Sequence, residues 1–395
     1  MARRLAIPSK EIQLVIVGAR DSFKASRIQR LSLNTDVPST DIDELGASEH
    51  AGQTKDAPNV TLSFSAFDVG IKVFAALTGT DPDSYPGAGV GISALGEMDA
   101  VLYVKTDSVA TYAKSGSARR LQIRDFTFNY SVDGESSEDY TAVGSEKRWL
   151  KYDVIVDKFT VGTTSFTLTE TPIALLNGNN AISAILDGVY LTEVTGAPAT
   201  GEYRIVGTTV TTGDSRSSQL QVVYHSDASS SWADVSDAIS AVAIKGKDVD
   251  VTIITEAIDR VQSVTINGSL NATPVNEMGT RTIVGYQSQI PTVEGTITVL
   301  DTDTELISLL TTGVVDSGSE WSPGEGCSAV SLPLTIELKD PCDTSLPYTV
   351  LKTVYIPNIT IVGDSYTANV NNNVSQVFNF KSATGVCTVY SGAIA

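Results

Sequence analysis

Few side chains in this sequence of 395 residues could act as catalytic acids, bases or nucleophiles. Only two histidines are present, His50 and His225. His225 is followed by Ser226 and Asp227, but the members of a catalytic triad meet in space, so adjacency in the sequence does not predict one. Because imidazole is the usual proton acceptor near neutral pH, the sequence predicts no catalytic residues and no enzyme.

Carboxylate pairs and one glycine-rich segment are the remaining candidates for metal or phosphate binding. None of the pairs lies in a twelve-residue calcium loop with its central glycine and closing glutamate. The glycine-rich residues 87–91 follow Pro86 rather than a strand, and no helix opens after them as phosphate binding requires. We therefore expect no cofactor and no metal, and an acid-pair hydrolase stays open as the enzymatic alternative. The carboxylate pairs are Asp41 with Asp43, Asp81 with Asp83, and Asp301 with Asp303.

The strongly negative overall charge argues against a protein that binds nucleic acid through its phosphates. The formal net charge is −19 and the isoelectric point is about 4.4. Binding to phosphates requires clustered Lys and Arg, and no basic cluster is larger than a pair such as Arg119 with Arg120 or Lys147 with Arg148. The alternative explanation of this acidity is a salt-adapted proteome.

The apolar runs, residues 1–8 and the cysteines of the sequence bear on the compartment and the redox state of the protein. No apolar run approaches the roughly 18 to 20 residues of a membrane span, and residues 1–8 do not resemble a secretory signal. We expect synthesis and folding in a cytoplasm. Cys327, Cys342 and Cys387 match no metal-binding spacing and are expected to be buried thiols, with a Cys327–Cys342 bond or a bond between subunits left open.

Alternation of apolar and polar residues dominates the chain and predicts half-buried strands. It is clear at residues 11–17, 59–65, 122–128 and 353–361. Two short helices are predicted in addition, one with apolar residues Ile71, Phe74 and Leu77 and one with Leu306, Leu309 and Leu310. Asp68 and Gly79 would cap the first helix, and Asp301 to Asp303 and Gly313 the second.

An internal repeat organises the chain. Residues 27–78 match residues 260–311 without a gap at a constant offset of 233, which is 260 minus 27. Twelve of the fifty-two aligned pairs are identical, whereas composition predicts roughly three or four. The identical residues of the first copy are Arg27, Gln29, Asn34, Thr40, Glu44, Gly46, Gly52, Pro58, Val60, Asp68, Leu77 and Thr78. The repeat predicts two domains built on one plan.

Weaker matches extend the repeat and divide the chain. They pair residues 11–17 with 248–254, 100–105 with 334–339, 123–128 with 356–361, and 149–152 with 377–380. We predict a first domain over 1–156, an inserted outer β-domain over 157–247, and a second domain over 248–395. The predicted fold class is mainly β, with two tandem β-sandwich or barrel domains that each carry one short helix, plus the small all-β insertion.

Both copies contain a long polar segment, residues 36–56 and 271–289. Loops of this length inside a compact domain are usually functional, so we expect them to reach a neighbouring subunit. The shared Glu-Leu/Met-Gly motif fits this role, although a tight turn that needs glycine explains it as well. The candidate contact residues are Asp41, Asp43, Glu44, Gly46, Glu49, Glu277, Gly279 and Arg281. Arg27, Gln29, Arg260 and Gln262 are expected to pair with Glu44 and Glu277, either locally or across an interface.

This order of motifs resembles the tail tube proteins of tailed bacteriophages. The resemblance covers both copies and leaves residues 157–247 outside it. It rests on Arg-hydrophobic-Gln followed by Leu33-Asn34 or Ile266-Asn267, the loop with Glu-Leu/Met-Gly, then Pro58 or Pro291, an alternating strand and a capped helix. The resemblance implies that each domain adds strands to an inner barrel, that six domains form a ring, and that the long loops stack one ring on the next.

Carrying the domain twice would let three chains close such a ring. The expected partners are other copies of the chain, in homotrimeric rings and stacked rings, together with tail proteins such as sheath, tape measure, baseplate and terminator. Double-stranded DNA would pass through the lumen without specific binding, because carboxylates repel a duplex that carries one negative charge per about 1.7 Å. The location implied is the virion tail, assembled in the host cytoplasm. The alternatives are another tail component, such as a hub or terminator, and an extracellular β-rich adhesin or carbohydrate-binding protein.

Overall fold

The structure is a computed structural model of the chain. It describes residues 12–19, 22–45, 49–67, 69–78, 89–105, 112–160, 163–214, 219–227, 243–254, 256–258, 260–278, 283–287, 289–300, 331–343, 346–368 and 374–394. Within these residues the fold is mainly β, as the sequence predicts, with one short α-helix. We describe it as a first unit over residues 12–150, an outer domain over 153–227 and a second unit over 243–394.

The first unit contains eleven strands and the helix among its described residues. They are β1 (Ile12–Val17), β2 (Ser22–Lys24), β3 (Ile28–Asp36), β4 (Ser39–Ile42), β5 (Gly52–Lys55), β6 (Asn59–Ala66), α1 (Lys72–Thr78), β7 (Val90–Gly91), β8 (Glu97–Lys105), β9 (Tyr112–Ser131), β10 (Ser137–Gly144) and β11 (Glu146–Leu150). A 3₁₀ turn spans Ile92–Ala94.

The outer domain follows directly. Its strands are β12 (Asp153–Thr160), β13 (Ser165–Thr167), β14 (Ser183–Leu186), β15 (Val189–Tyr190), β16 (Thr192–Glu193), β17 (Glu202–Val206), β18 (Thr209–Thr212) and β19 (Gln219–Ser226). Strand β12 pairs with β19 along its whole length. The domain boundary expected between residues 156 and 157 therefore falls inside β12, and the outer domain begins near residue 153.

The second unit begins with a 3₁₀ turn at Gly246–Asp248. Its strands are β20 (Val249–Ile253), β21 (Glu256–Ala257), β22 (Val261–Ser269), β23 (Thr273–Val275), β24 (Gly285–Gln287), β25 (Thr292–Val299), β26 (Leu332–Lys339), β27 (Val350–Thr367), β28 (Ser375–Ser382) and β29 (Thr388–Ser391). The helix predicted around Leu306 lies outside the described residues.

Eight antiparallel strands form one continuous layer across both units, which we call the wall sheet. Its order is β3, β6, β10, β9, β22, β25, β28 and β27. The first four strands come from the first unit and the last four from the second. The junction between the units is the pairing of β9 with β22, where Phe128 lies opposite Ile266.

The two units pair their corresponding wall strands in the same register. Leu31 on β3 lies opposite Phe64 on β6, and Val264 on β22 lies opposite Ile297 on β25. Both members of the second pair are 233 residues beyond those of the first. The offset found in the sequence is therefore also an offset in strand pairing.

Farther along the chain the offset becomes 238. Tyr140 on β10 lies opposite Phe64, and Phe378 on β28 lies opposite Ile297, so β10 corresponds to β28. The expected match of residues 149–152 with 377–380 is wrong, because Trp149 lies on β11, which pairs with β9. The match of residues 123–128 with 356–361 is wrong by five positions, since connecting segments of unequal length separate the corresponding strands.

The other strands of the same 17-stranded sheet form what we call the second layer. Strands β9 and β27 belong to both layers, because each passes a bulge and changes partner along its length. In the first unit this second layer has the order β2, β1, β8, β9, β11. In the second unit the order is β21, β20, β26, β27, β29, with β7 from the first unit at the end. Buried residues of the wall sheet and of the second layer belong to one apolar core.

Helix α1 packs its apolar residues into this core, as its spacing predicts. Phe74 and Leu77 are buried, as is Ile71 just before the helix. The Phe74 ring contacts Phe128 edge-on at a centroid distance of 6.0 Å and Tyr140 at 6.4 Å. Aromatic contacts of this kind add to the stabilisation from burial. The caps predicted at Asp68 and Gly79 lie outside the described residues.

The outer domain has two four-stranded sheets with their own core. It is held on the second layer of the first unit by a further apolar cluster. The Tyr103 hydroxyl donates a hydrogen bond of 2.6 Å to the Val154 carbonyl. The buried carboxylate of Asp99 accepts hydrogen bonds from the hydroxyls of Ser183 and Tyr190. Burial raises the pKa of Asp99, and these hydrogen bonds offset part of the effect.

The cysteines differ in environment. Cys342 is exposed, contrary to the expected burial, whereas Cys387 is buried as expected. Burial raises the pKa of the Cys387 thiol to about 12, which keeps it protonated and unreactive. Cys327, and with it the question of a Cys327–Cys342 bond, lies outside the described residues.

Candidate assembly site

The wall sheet has one apolar and one polar face. Residues such as Leu62, Phe64, Phe128 and Ile266 face the core, and the residues that alternate with them face away from it. The polar face consists mainly of hydroxyl and amide side chains. It includes Ser32, Asn34, Thr61, Ser63, Ser65, Thr127, Asn129, Ser131, Ser263, Thr265, Asn267, Ser269, Thr292, Thr296, Thr298, Ser365, Thr367, Ser375 and Asn379.

Few charges interrupt this hydroxyl and amide face. Its acidic residues are Asp36, Asp125, Asp139 and Glu294, and its basic residues are Arg30 and Lys381. Lys381 lies directly opposite Glu294 on the neighbouring strand. Arg124, at the bulge of β9, pairs with Asp125 at 2.6 Å. A face of this composition offers no cluster of cations that would hold a polyanion.

The junction between the units is joined on this face by side-chain hydrogen bonds. The Thr127 hydroxyl donates to the Asn267 side-chain oxygen at 3.0 Å. Thr265 donates to the Asn129 side-chain oxygen at 3.1 Å. The junction between the first and the second unit therefore consists, on this face, of these two hydrogen bonds and the β9–β22 backbone pairing.

On the core side, the junction contains a buried ion pair. The Lys352 ammonium of the second unit lies 2.5 Å from the Glu138 carboxylate of the first, and both side chains are 1% exposed. Glu138 also accepts hydrogen bonds from the hydroxyls of Tyr130 and Tyr140, at 3.0 and 2.6 Å. Burial, followed by the Glu138 charge, raises the pKa of Tyr130 well above its usual value. Lys352 connects the second layer of one unit to the core of the other.

Among the residues that the structure describes, neither end of the wall sheet pairs with a further strand. In the described residues, β3 pairs only with β6, and the end of β27, from Ile361 to Thr367, pairs only with β28. Tyr366 on this end is 64% exposed, although its counterpart Phe128, 238 positions earlier, is buried. Exposed strand edges are sites where further strands can add.

Each long polar segment forms a two-stranded hairpin rather than an irregular loop. Thr40 pairs with Thr54 in the β4–β5 hairpin, and Thr273 pairs with Gln287 in the β23–β24 hairpin. The register is the same in both, again at an offset of 233. Ser39–Ile42 has three polar residues and one isoleucine, so no apolar–polar alternation in it predicts the first hairpin.

The tips of the hairpins expose apolar side chains at corresponding positions. Leu45 is completely exposed and Met278, 233 positions later, is 99% exposed. Ile42 and Val275, which also correspond, are exposed on the strands below. Leu45 and Met278 are both apolar at aligned positions of the repeat, but the sequence does not reveal their exposure. A solvated apolar side chain at the same place in both units is typical of a contact surface.

Most of the predicted hairpin residues lie near these tips. Asp41, Asp43, Glu44 and Glu49 of the first hairpin and Glu277 of the second are exposed. Gly46, Gly279 and Arg281 lie outside the described residues. His50 connects two of the acids, since its Nδ1 lies 2.5 Å from Asp43 and its Nε2 lies 3.8 Å from Asp41.

The Arg-x-Gln motif has a local backbone role in both units. Arg27 and Arg260 adopt left-handed backbone conformations with φ of 52° and 58°. The amides of Gln29 and Gln262 donate to the carbonyls of Arg27 and Arg260 at 3.0 and 3.2 Å. This accounts for the shared Arg and Gln as the entry to a wall strand, and their pairing across an interface stays a prediction.

No protein-family model matches the sequence, and no curated protein matches it either. Among the described residues, no helix has the length and apolar character needed to cross a membrane. The same part of the chain brings together no group of three His, Cys, Asp or Glu side chains able to hold a metal ion.

Proposed function

We propose that this protein is a tail tube subunit of a tailed bacteriophage, carrying two tandem copies of the tube domain. Three chains close a ring of six units, and rings stack into a hollow tube through which DNA passes during ejection. The observation that supports this most is the wall sheet. Two units with the same strand order and register stand side by side in one continuous layer, and neither of its ends pairs with a further strand in the described part of the chain.

The junction inside the chain predicts the junction between chains. If the open end of β27 pairs with β3 of another copy as β9 pairs with β22, Tyr366 lies opposite Leu33 of the partner. Ser365 then lies opposite Asn34, in the arrangement of Thr127 and Asn267. Ser365 supplies a hydroxyl and Asn34 an amide, so the side-chain hydrogen bond found inside the chain is available between chains. Repeating one kind of junction around an axis closes a ring.

In this arrangement the polar face of the wall sheet lines the lumen. Its hydroxyl and amide side chains hydrate well, and the acids on it outnumber the bases outside the Arg124–Asp125 pair. DNA would pass such a surface with little attraction, because cations that could replace its counterions are few. The outer domain sits on the opposite side of the second layer and would project outward three times per ring.

Ring closure is testable by a disulfide across the new junction. Asn34→Cys with Ser365→Cys, in a background where Cys327 and Cys342 are serine, is expected to give covalent trimers after mild oxidation. Three bonds per ring would join three chains, and non-reducing gel electrophoresis measures the product. The matched control is Asn34→Cys with Thr360→Cys, which displaces the second cysteine five residues along β27, or about 17 Å.

The two cysteine variants are expected to give different products. Trimers in the in-register variant and their absence in the control support ring closure by these edges. Equal cross-linking in both variants, or dimers and an unlimited ladder without a dominant trimer, would contradict it.

A further inference from the structure

We propose that Lys114 and Trp149 form the outer layer of the junction between chains, and that their partner is Asp364 and Tyr366 of a second copy of this chain. The inference rests on the ring proposed above. It names the side chains that close the ring away from the lumen, where the wall strands do not reach.

The contact inside the chain supplies the precedent. The second layer of the second unit extends over the core of the first unit. The Lys352 ammonium lies 4.7 Å from the centre of the Phe128 ring and pairs with Glu138. Val389, on the neighbouring strand β29, is completely buried. Here the second unit covers the first with a cation over an aromatic ring and an apolar side chain beside it.

The first unit has residues at the positions that correspond to Lys352 and Val389. The offset of 238 relates Ala118, opposite Ala100, to Ile356, opposite Leu334, and it places Lys114 at the position of Lys352. Trp149 lies opposite Gly116.

Val389 in turn lies opposite Val354, and 354 minus 116 is again 238. Trp149 therefore occupies the position of Val389. The first unit repeats both the cation and its apolar neighbour.

The corresponding residues of the two units differ in exposure. Lys352 and Val389 are buried by the first unit, whereas Lys114 is exposed and Trp149 is 47% exposed. The Trp149 ring lies over Gly116, where an added Cβ would meet it at 3.0 Å. It is held on the face that the corresponding second-unit residues use for contact. Tryptophan is among the residue types most enriched at the centres of protein interfaces.

Charge also favours a partner that brings a carboxylate. Lys114 and Lys147 lie over the same Trp149 ring, at 4.2 and 5.4 Å from its centre. Burial, followed by the Lys114 charge, lowers the pKa of Lys147. Within the described residues neither lysine forms an ion pair with a carboxylate. This patch has an excess of positive charge on a protein that is strongly acidic overall.

The corresponding surface of the second unit supplies what the patch lacks. Tyr366 stands where Phe128 stands in the first unit, and its ring is exposed. Gln376 stands where Glu138 stands, and its amide donates to the exposed Asp364 carboxylate at 3.2 Å. A second copy would place Lys114 over Tyr366 and near Asp364, as Lys352 lies over Phe128 and beside Glu138.

A charge swap tests this pairing in the full-length protein. We expect Lys114→Glu to raise the concentration needed for half-maximal ring assembly by about tenfold or more, because an attraction becomes a repulsion. Asp364→Lys alone should act similarly, and the double variant K114E/D364K should recover most of the loss. The matched control is Lys24→Glu, the same charge change on β2 at the opposite edge of the same layer. Sedimentation velocity measures assembly, and thermal melting of the unassembled chain verifies folding.

The disulfide between positions 34 and 365 distinguishes the proposed ring from the proposed outer contact of Lys114. If it forms trimers and K114E assembles like K24E, the ring stands and the outer contact proposed here is wrong. If K114E weakens assembly and the double variant recovers nothing, the pairing of Lys114 with Asp364 is wrong. If the disulfide forms no trimers, the ring itself fails and this inference fails with it.

Discussion

Replacing Lys352 with methionine is expected to destabilise the protein by about 3–5 kcal/mol in free energy of unfolding. The substitution leaves the Glu138 carboxylate buried without its cation, in a core where both side chains are 1% exposed. Glu138→Gln should cost a similar amount, because it leaves the ammonium unpaired. The double variant E138Q/K352M should lose much less than the two single losses added together, since it removes both charges. Urea denaturation followed by circular dichroism measures all three values.

The matched control for the buried Lys352–Glu138 pair is a more exposed ion pair. Lys339 and Asp250 form an ion pair between β26 and β20 with side chains 22% and 50% exposed. Lys339→Met should cost less than about 1 kcal/mol, because solvent screens the pair. A Lys352→Met loss as small as that of the control would show that Glu138 does not need its cation. The junction between the units would then depend on apolar packing alone.

The second large effect is expected at the hairpin tips. Changing Leu45 and Met278 together to aspartate should abolish the growth of tubes while leaving single rings intact. Each tip that is buried on stacking contributes roughly 1.5–3 kcal/mol, and every chain offers two of them. Electron microscopy of the purified variant measures tube length, and sedimentation measures the ring.

A control variant separates this effect from a general gain of charge. Val206, on β17 of the outer domain, is 62% exposed and lies away from the wall sheet. Val206→Asp should leave tube growth unchanged. Tubes of ordinary length from the L45D/M278D variant would contradict the role of the tips, whereas loss of the rings themselves would place Leu45 and Met278 in the lateral junction instead.

The sequence predicts β3 and β6 and their counterparts β22 and β25 well, because each of these two pairings is nearly local. Strands β3 and β6 are separated by one hairpin, and the match of residues 27–78 with 260–311 carries that hairpin and its register into the second unit. Alternation also predicts which residues of these strands face the core. The predicted helix at residues 71–77 follows from apolar spacing of three to four residues, and Phe74 and Leu77 are buried as expected.

The parts that sequence reasoning missed depend on residues far apart in the chain. Lys352 and Glu138 are separated by 214 residues, and neither has a local pattern that distinguishes it from an exposed charge. The long strands β9 and β27 pass between two layers at a bulge, which period-two alternation cannot reveal. The error at Trp149 has the same origin, because its pattern resembles that of β28 while its strand partner is β9.

The predicted contact residues illustrate a further difficulty. Glu44 and Glu277 are found by their identity in the two copies, but the exposed apolar residues beside them, Leu45 and Met278, carry more of the expected contact energy. Exposure is not readable from sequence, since most leucines and methionines are buried. Arg27 and Gln29 are shared for a different reason, which is the left-handed turn that begins the strand.

The proposed tube requires the two units of one chain to stand as neighbouring sixths of a hollow cylinder. Electron microscopy of the purified full-length protein, averaged end-on, measures this directly. We expect a ring of three chains with an open centre, six similar wall segments and three outer lobes. Particles that stay monomeric at all concentrations, or closed rings in which each chain contributes a single wall segment, would contradict it.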